Sequence, residues 1–267
     1  MRRGRKGGIV MALLEAENIS IEFGGLKAVQ DFNLHLNEQE LYAIIGPNGA
    51  GKTTAFNMLT GIYTPTSGIV RMDGEVMNGK KAYQFTRKGI ARTFQNIRLF
   101  GAASVLENLT IAMEANAHYT LADTLLRTPR FRRQEEEFVE RAKELLAFFE
   151  LDKKADFMAK NLPYGDQRRL EIARAMATHP KVLCLDEPAA GMNPSEVDDL
   201  VGMIQKIRQA HDVTILLIEH HMSMVMAIAD RIKVIEFGIT IAEGKPDEIK
   251  NDPKVIEAYL GKEEEIC

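Results

Sequence analysis

One stretch of the chain has the residue types and spacing of a phosphate-binding loop. Residues 46–53 match the pattern GxxxxGK[ST] in full. They follow a predicted strand and open a predicted helix, which is the context that the pattern requires. The glycines let successive backbone N–H groups face one anion, and the helix N-terminus adds positive potential. Lys52 is expected to reach the β- and γ-phosphates of a nucleotide, and the Thr53 hydroxyl is expected to ligate Mg²⁺.

A pair of acids forms the second candidate for chemistry. Asp186 and Glu187 directly follow the apolar run over 182–185. In an open parallel sheet, ligands bind beyond the carboxyl ends of the strands, so the acids and the phosphate loop should converge there. Asp186 is suited to hold Mg²⁺ through water, and Glu187 to polarise a water that attacks the γ-phosphate. Read alone, the pair could be a strand that ends in solvated acids; the phosphate loop favours the catalytic interpretation.

The elements that must position these residues alternate between strands and helices. Asn193, Pro194 and Glu196 have the types expected at the N-cap, first and third positions of one helix. The alternation predicts a mostly parallel sheet covered on both faces. Strands are predicted over 19–23, 34–36, 41–45, 69–72, 181–185, 213–218 and 232–236, and helices over 52–60, 167–177, from 194 onward and up to 229.

Between residues 104 and 149 the strand signals disappear. Phe138, Ala142, Leu145 and Phe149 follow helical spacing and should share one face. The basic stretch over 127–133 is predicted to be a loop, of the kind that is usually a solvated surface. The region therefore predicts an all-helical lobe inserted into an α/β domain.

Composition excludes several classes of protein. The 267 residues are 45% hydrophobic and 27% charged, with a net charge of −4, so a basic nucleic-acid-binding chain is not indicated. The two cysteines, Cys184 and Cys267, exclude a disulfide framework or a cysteine zinc site and favour a reducing cytoplasm. No apolar run approaches the roughly 18 residues that a membrane helix needs. Residues 1–11 are predicted to be a disordered basic tail.

Further motifs follow in the order that they take in the ATP-binding cassette family, which the chain resembles over about residues 12–260. Gln95 lies in the segment Arg-Thr-Phe-Gln-Asn, and residues 162–167 are similar to the LSGGQ signature. Residues 190–193 stand where the family has its D-loop. The resemblance extends the phosphate loop, Walker A, to Thr54 and identifies Asp186 and Glu187 with Walker B and its following glutamate.

The resemblance also implies roles for single residues. Gln95 would contact Mg²⁺ at the join to the helical lobe, His220 would be the switch histidine, and Phe23 would stack on adenine. Catalysis would therefore involve Glu187, His220 and Gln95, and the metal would be held by Thr53, Gln95 and Asp186. The nucleotide-binding residues implied are Phe23, Gly46, Pro47, Asn48, Gly49, Ala50, Gly51, Lys52, Thr53, Thr54, Tyr164, Gly165, Asp166 and Gln167.

Phe23, Gln95 and the two adjacent histidines also have structural interpretations. Phe23 alone is more often a core or edge aromatic, and Gln95 a surface amide. His220 and His221 could each be satisfied structural histidines or metal ligands. Adjacent side chains are expected to point apart, which argues against joint ligation. His220 is preferred because it follows the strand and its glutamate directly.

The signature departs from the family pattern. Pro163 takes the place of the usual serine, whose hydroxyl in the family bonds the γ-phosphate held by the opposite subunit. Tyr164 takes the place of a glycine, Asp166 precedes Gln167, and Asn193 stands at a D-loop position that is often aspartate. Proline offers neither a hydroxyl nor an N–H, so the contact across the dimer is expected to rely on backbone amides and the helix N-terminus.

Within the family, the chain most resembles the ATP-binding subunit of bacterial branched-chain amino acid importers. The segments that carry this resemblance are 92–100, 163–174, 187–194 and 255–261, together with the basic insertion at 127–133. This implies a RecA-like P-loop NTPase core with a parallel sheet, an N-terminal antiparallel β subdomain and an inserted α-helical subdomain. The core would comprise residues 12–95 and 176–267, and the helical subdomain residues 96–175.

The same resemblance implies ATP and Mg²⁺ as cofactors and a location at the cytoplasmic face of the inner membrane. The implied partners are two integral-membrane permease subunits, a second identical or paralogous ATPase subunit and, indirectly, an extracytoplasmic amino-acid-binding protein. Nucleic acid is not expected.

Three rivals stay open. The first is the ATPase of a lipid or lipopolysaccharide exporter, which the neighbouring permease gene would distinguish. The second is a DNA-repair or translation ATPase, although these carry a long coiled-coil insertion or two cassettes. The third is a degenerate cassette with a purely structural role, against which the presence of Lys52, Asp186, Glu187 and His220 argues.

Overall fold

The computed structural model describes residues 12–260, so the predicted tail over 1–11 lies outside the described residues. The strands are β1 Leu14–Phe23, β2 Leu26–Leu36, β3 Leu41–Ile45, β4 Ser67–Met72, β5 Glu75–Val76, β6 Ile90–Arg92, β7 Val182–Asp186, β8 Thr214–Ile218, β9 Arg231–Glu236 and β10 Ile239–Gly244. The helices are α1 Lys52–Leu59, α2 Ala82–Arg87, α3 Val105–Met113, α4 Leu121–Leu126, α5 Pro129–Phe148, α6 Tyr164–Met176, α7 Pro194–His211, α8 Met222–Ile228, α9 Pro246–Lys250 and α10 Pro253–Leu260.

The central sheet has the strand order β10-β9-β3-β8-β7-β6. Its strands pair in parallel except for β10, which is antiparallel to β9. Successive residues of β3 face opposite sides: Leu41, Ala43 and Ile45 pack into one hydrophobic cluster, and Tyr42 and Ile44 into another. This alternation follows from the two-residue period of a strand. The prediction of a mostly parallel sheet covered on both faces is confirmed.

A second sheet, antiparallel and ordered β2-β1-β4-β5, covers one of those faces. It confirms the predicted N-terminal antiparallel subdomain. Strands β1 and β2 begin earlier than the predicted residues 19 and 34. In both strands, buried residues already alternate with more exposed ones before those positions. Leu14 and Ala16, for example, are fully buried against the second cluster.

The region between β6 and β7 contains the helices α3 to α6. The prediction of a loop over 127–133 is wrong from Pro129 onward, where the chain is helical. Thr128 is the N-cap of α5, its Oγ1 accepting a hydrogen bond from the N–H of Phe131 (3.4 Å), and Pro129 is the first helical residue. Proline is favoured at the first position of a helix, because the N–H group there makes no hydrogen bond within the helix and its absence costs nothing. Only Arg127, in a left-handed conformation, and Thr128 separate α4 from α5.

Other local predictions differ in detail. Leu145 is predicted to share the buried face of α5 with Phe138 and Ala142, but the fully buried leucine is Leu146. Leu146 lies four residues after Ala142, which is about one turn of a helix with 3.6 residues per turn. Helix α6 begins at Tyr164, three residues before the predicted start, because Pro163 serves as its N-cap. The predicted cap of α7 is confirmed by the hydrogen bonds between Asn193 and Glu196.

Cys184 packs as a small hydrophobic residue, as expected from its place in a buried strand. It is fully buried in β7, and this burial raises the pKa of its thiol to about 12.

We retain the division into a core (12–95 and 176–267) and a helical subdomain (96–175) as a proposal. Every α-helix between β6 and β7 falls within or at the edge of the second range. Among residues 12–260, no helix combines the length and the apolar character needed to cross a bilayer.

Candidate active site

The phosphate loop connects β3 to α1 and closes around the Lys52 ammonium. Lys52 Nζ donates to the carbonyl oxygens of Gly46 (2.6 Å) and Pro47 (2.9 Å), and the side chain is buried. These bonds fix the position of the charge on the loop.

At two positions of the loop, only glycine fits against the neighbouring backbone. Gly46 has φ 151°, and a Cβ there would lie 2.0 Å from the carbonyl oxygen of Ile235. Gly51 has φ 100°, and a Cβ there would lie 2.7 Å from the carbonyl oxygen of Ala28. The loop is thus wedged between β9 and β2, where no side chain larger than hydrogen fits.

An open cleft lies over this loop. The β1–β2 hairpin forms one wall, the β9–β10 turn another, and Glu187 closes a third side. Gly238 N–H donates to the carbonyl of Ala50 (2.8 Å), which joins the β9–β10 turn to the phosphate loop. The cleft is lined by Leu26, Lys27, Ala28, Asn48, Gly49, Ala50, Gly51, Lys52, Thr53, Thr54, Glu187, Phe237 and Gly238.

Phe23 lies just outside this lining. It ends β1, pairs with Leu26 across the hairpin, and is 46% exposed. Its ring meets Tyr63 edge to face at 5.4 Å. Leu26 and Ala28, from the same hairpin, are apolar residues that line the cleft.

Glu187 is the point where the other predicted catalytic residues meet. Gln95 Nε2 donates to Glu187 Oε2 (2.8 Å), and His220 Nδ1 lies 3.8 Å from the same oxygen. The Glu187 backbone is left-handed (φ 45°) and its N–H donates to Ile218 at the end of β8. A strained conformation held by the neighbouring strand is typical of a functional position.

Glu219 lies beside both histidines. It is fully buried, and its carboxylate accepts from the N–H groups of Ala189, His220 and His221. It also bonds His221 Nδ1 (3.0 Å), whereas His220 Nδ1 lies 3.7 Å from Glu219 and 3.8 Å from Glu187, between the two carboxylates.

The expectation that these histidines point apart is wrong. Their ring centroids lie 4.4 Å from each other, and ligand atoms of Glu219, His220 and His221 lie within 4.8 Å of one another. The alternation of a strand does not apply because the chain has left β8, and His221 is already the N-cap of α8.

Asp186 pairs with an arginine whose side chain is also buried. Arg92 Nη2 donates to Asp186 Oδ2 (2.6 Å), and Nη1 donates to Asn57 Oδ1 (2.7 Å) and Thr60 Oγ1 (2.8 Å). A carboxylate has about four acceptor sites, so this contact leaves capacity for a water or metal-bound water.

The predicted metal residues fit Mg²⁺ by the chemistry of their donors. Asp186 offers carboxylate oxygen, and Thr53 is an exposed hydroxyl in the cleft. Gln95 uses its amide nitrogen on Glu187, which leaves its amide oxygen for other contacts. Oxygen ligands of this kind are those that Mg²⁺ prefers.

The signature residues occupy a different surface. Pro163, Gly165 and Asp166 line a depression shared with Met192 and Glu196, and none of the described residues lines both this depression and the phosphate-loop cleft. Within one chain, the two predicted halves of the nucleotide site are therefore not brought together.

Four signature residues are predicted to bind nucleotide, Tyr164, Gly165, Asp166 and Gln167, and the side chains of three of them make contacts inside their own chain. Tyr164 OH donates to the carbonyl of Ala190 (2.9 Å), Asp166 pairs with Lys154, and Gln167 Nε2 donates to the carbonyl of Leu162 (2.8 Å). At Gly165 a Cβ would meet nothing closer than Glu196 Oε1 at 3.9 Å. The fold of the single chain therefore does not require glycine there.

A buried ion pair joins the signature helix to the Gln95 segment. Arg168 is fully buried and donates to Glu171 (2.7 Å) and to the carbonyls of Phe94 (2.8 Å) and Gln95 (2.9 Å). Glu171 in turn accepts from the N–H groups of Phe94 (3.3 Å) and Arg98 (3.2 Å). The backbone that carries Gln95 is thus tied to α6.

This ion pair predicts a large difference between two neighbouring arginines. Arg168→Met should lower the free energy of unfolding by about 3–5 kcal/mol, because Glu171 would stay buried without its partner. Arg169→Met should change it by at most about 1 kcal/mol, since Arg169 is only partly buried and its partner Glu150 is solvent-exposed. Urea denaturation measures both. Equal effects would show that Arg168 does not hold these elements together.

Four residues of this region are absent from the predicted catalytic, nucleotide-binding and metal residues. Arg92, Arg168, Glu171 and Glu219 act through partners that are distant in the chain or through backbone groups. A charged residue directly after an apolar strand, as Glu219 is after β8, is the one signal that would have identified such a position.

Comparisons with known proteins identify the family of this chain. A family model described as ABC transporter matches residues 29–190, and one described as branched-chain amino acid ATP-binding cassette transporter matches residues 240–265. The chain is 49% identical to the high-affinity branched-chain amino acid transport ATP-binding proteins BraF of Pseudomonas aeruginosa and LivG of Escherichia coli. Each match covers 93% of this chain and 98% of the relative.

Among solved structures, the crystal structure of the ADP conformation of an ATP-binding cassette of an ABC transporter superimposes with a TM-score of 0.81 at 33% identity. The match covers 94% of this chain and 99% of that one. The chain belongs to the ATP-binding cassette transporter family. The predicted P-loop NTPase fold and the assignment as an ATPase of this family are confirmed.

Proposed function

We propose that this chain is the ATP-hydrolysing subunit of an importer, and that it powers the uptake of branched-chain amino acids through a partner permease. The observation that supports hydrolysis is the meeting of Gln95, Glu187 and His220 at the rim of the phosphate-loop cleft. The observation that supports the cargo is the likeness to BraF and LivG, which extends along nearly the whole chain.

In the proposed reaction, the phosphate loop and Lys52 bind the β- and γ-phosphates and counter their charge. Thr53, Asp186 and Gln95 would hold Mg²⁺, which supplies further positive charge to the phosphates when it is bound. Glu187 accepts a proton from, or polarises, the attacking water. His220, 3.8 Å from Glu187, would orient that carboxylate and bond the γ-phosphate.

We infer that a second ATPase subunit, identical or paralogous, completes each site. The supporting observation is that the signature depression and the phosphate-loop cleft share none of the described residues. A head-to-tail dimer places the signature of one chain over the phosphate loop of the other. Gly165, open on its own chain, then lets the backbone approach the partner's nucleotide.

The permease is proposed to dock beside Gln95, at a surface formed by Phe100, Phe157 and Met158, here called the coupling patch. These side chains are 48%, 55% and 47% exposed. The backbone holds them together, since Val105 N–H donates to the Phe157 carbonyl (2.9 Å) and residues 101–105 run beside 157–160. The ATPase is then peripheral at the cytoplasmic face of the membrane, with an extracytoplasmic binding protein delivering the amino acid.

Co-purification of the assembled complex tests this proposal. Tagged wild-type chain should bring down two permease subunits from detergent-solubilised membranes, and the binding protein encoded with them should bind leucine, isoleucine or valine. Phe157→Asp should reduce the recovered permease about tenfold or more, because a charge would be buried in an apolar contact. Val76→Asp, at a similarly exposed apolar residue of β5, is the matched control. Recovery of an exporter-type permease would overturn the proposed cargo.

A further inference from the structure

The turn between β9 and β10 contains a residue that its backbone does not favour. Glu236 pairs with Ile239, which leaves a two-residue hairpin loop. Phe237 and Gly238 form this loop, and both have positive φ (45° and 78°). Such a loop favours asparagine, aspartate or glycine at its first position, because these residues tolerate a left-handed backbone. A bulky phenylalanine at that position strains the backbone.

A second hairpin of the chain has the residue type that this geometry favours. Between β4 and β5, the two-residue loop consists of Asp73 and Gly74, whose φ values are 50° and 74°. Among residues 12–260, every other non-glycine residue with positive φ is polar or charged. The geometry of the turn therefore does not account for the choice of Phe237.

Burial within the chain does not account for it either, since Phe237 is 74% exposed. Strained positions cluster at functional sites, where a bound ligand can supply the missing contact. Phe237 lines the phosphate-loop cleft, and so does Leu26 of the β1–β2 hairpin, which is 71% exposed. Two large and exposed apolar side chains thus border the cleft that contains Lys52 and Thr53.

The fold fixes this turn against the phosphate loop. Gly238 N–H donates to the carbonyl of Ala50, and Gln30 N–H donates to the carbonyl of Gly238, each at 2.8 Å. A Cβ at Gly238 would lie 2.5 Å from the carbonyl oxygen of Ala28, so the turn also packs directly on β2. Phe237 is therefore held one residue away from a bond to the phosphate loop.

We propose that Phe237 is a nucleotide-binding residue, whose ring packs against the nucleoside of the ATP that the phosphate loop holds. The cleft has a volume of about 450 Å³, which is within the range of small-molecule sites. An aromatic ring offers the apolar face on which a base or a ribose packs. Phe237 shares this concave site with Lys52, which favours the nucleotide over a protein surface as the occupant. The inference rests on the proposed function, in which ATP occupies the cleft.

Phe237→Asn tests the inference through two effects of opposite sign. The change gives the loop the Asn-Gly sequence that its backbone favours, so the melting temperature of the full chain without ATP should rise by about 2–4 °C. The affinity for ATP, measured by calorimetry with Mg²⁺, should fall about tenfold because the ring is lost. Phe237→Tyr keeps the ring and should keep the affinity.

Two controls separate the nucleoside contact from other causes. Inorganic tripolyphosphate has the charged chain without the nucleoside, and Phe237→Asn should bind it as the wild-type chain does, since Lys52 is unchanged. Asp73→Asn produces the same Asn-Gly loop in the β4–β5 hairpin, outside the cleft lining, and should leave the affinity for ATP unchanged.

Three results would overturn the inference. One is a Phe237→Asn variant that binds ATP as tightly as the wild-type chain. Another is an equal loss of affinity for tripolyphosphate, which would show that the phosphate loop itself has changed. The third is normal ATP binding with loss of the closed dimer in a Glu187→Gln background, which would assign the ring to the partner subunit. A wrong cargo or permease would appear in the co-purification and would leave these affinities unchanged.

Discussion

Replacing Glu187 by glutamine is expected to lower the rate of ATP hydrolysis by about 10²–10⁴-fold and to leave ATP binding intact. The change removes the group that activates water and keeps its size, and general-base catalysis contributes a factor of this order. The hydrogen bond with Gln95 can persist because an amide oxygen also accepts. Release of phosphate from the assembled complex measures the rate, and calorimetry on the chain measures binding.

The variant should also accumulate as a closed dimer in ATP, because the uncleaved γ-phosphate continues to bridge two subunits. Glu140→Gln, an exposed glutamate on α5, is the matched control and should behave as wild type. Hydrolysis at the wild-type rate by Glu187→Gln would remove this residue from the catalytic role.

The second large effect is expected at Gly165. Gly165→Asp should leave the isolated chain folded and able to bind ATP, because a Cβ there meets nothing within 3.8 Å. In the closed dimer the new carboxylate would lie against the partner's phosphates, so hydrolysis by the complex should fall by about 100-fold or more. Like charges brought together in a water-poor interface repel by several kcal/mol.

Two further variants separate charge from position. Gly165→Ala adds bulk without charge and should have a smaller effect. Gly202→Asp adds the same carboxylate on α7, where a Cβ also meets nothing within 4 Å, and should hydrolyse normally. If Gly165→Asp retained full activity in the complex, the signature would not face the nucleotide of the partner.

Features that depend on neighbours in the chain were accessible from the sequence. The phosphate loop, the cap at Asn193 and the buried strand before Asp186 all follow from short patterns, and the structure has each of them. Thr128 and Pro129 show the limit of such patterns. Proline by itself predicts a loop, whereas a threonine N-cap followed by proline predicts the start of a helix.

Features that depend on distant residues were not accessible. Arg92 and Asp186 are 94 residues apart, and Arg168 reaches the Gln95 backbone 73 residues away. No local period or propensity encodes such pairs, because they form only when β6, β7 and α6 pack together. The preference for His220 over His221 rests on sequence order, and what distinguishes His220 in the structure is its position within 3.8 Å of Glu187.

The most direct test of the central claim is amino-acid uptake by the reconstituted complex. Proteoliposomes would contain the permease subunits, this chain with any paralogous ATPase, and ATP and Mg²⁺ on the side of the ATPase. Binding protein loaded with labelled leucine would be added to the opposite side. We predict uptake that requires ATP, that competing isoleucine or valine reduces, and that Glu187→Gln abolishes. Continued ATP hydrolysis with no uptake of any branched-chain amino acid would contradict the account.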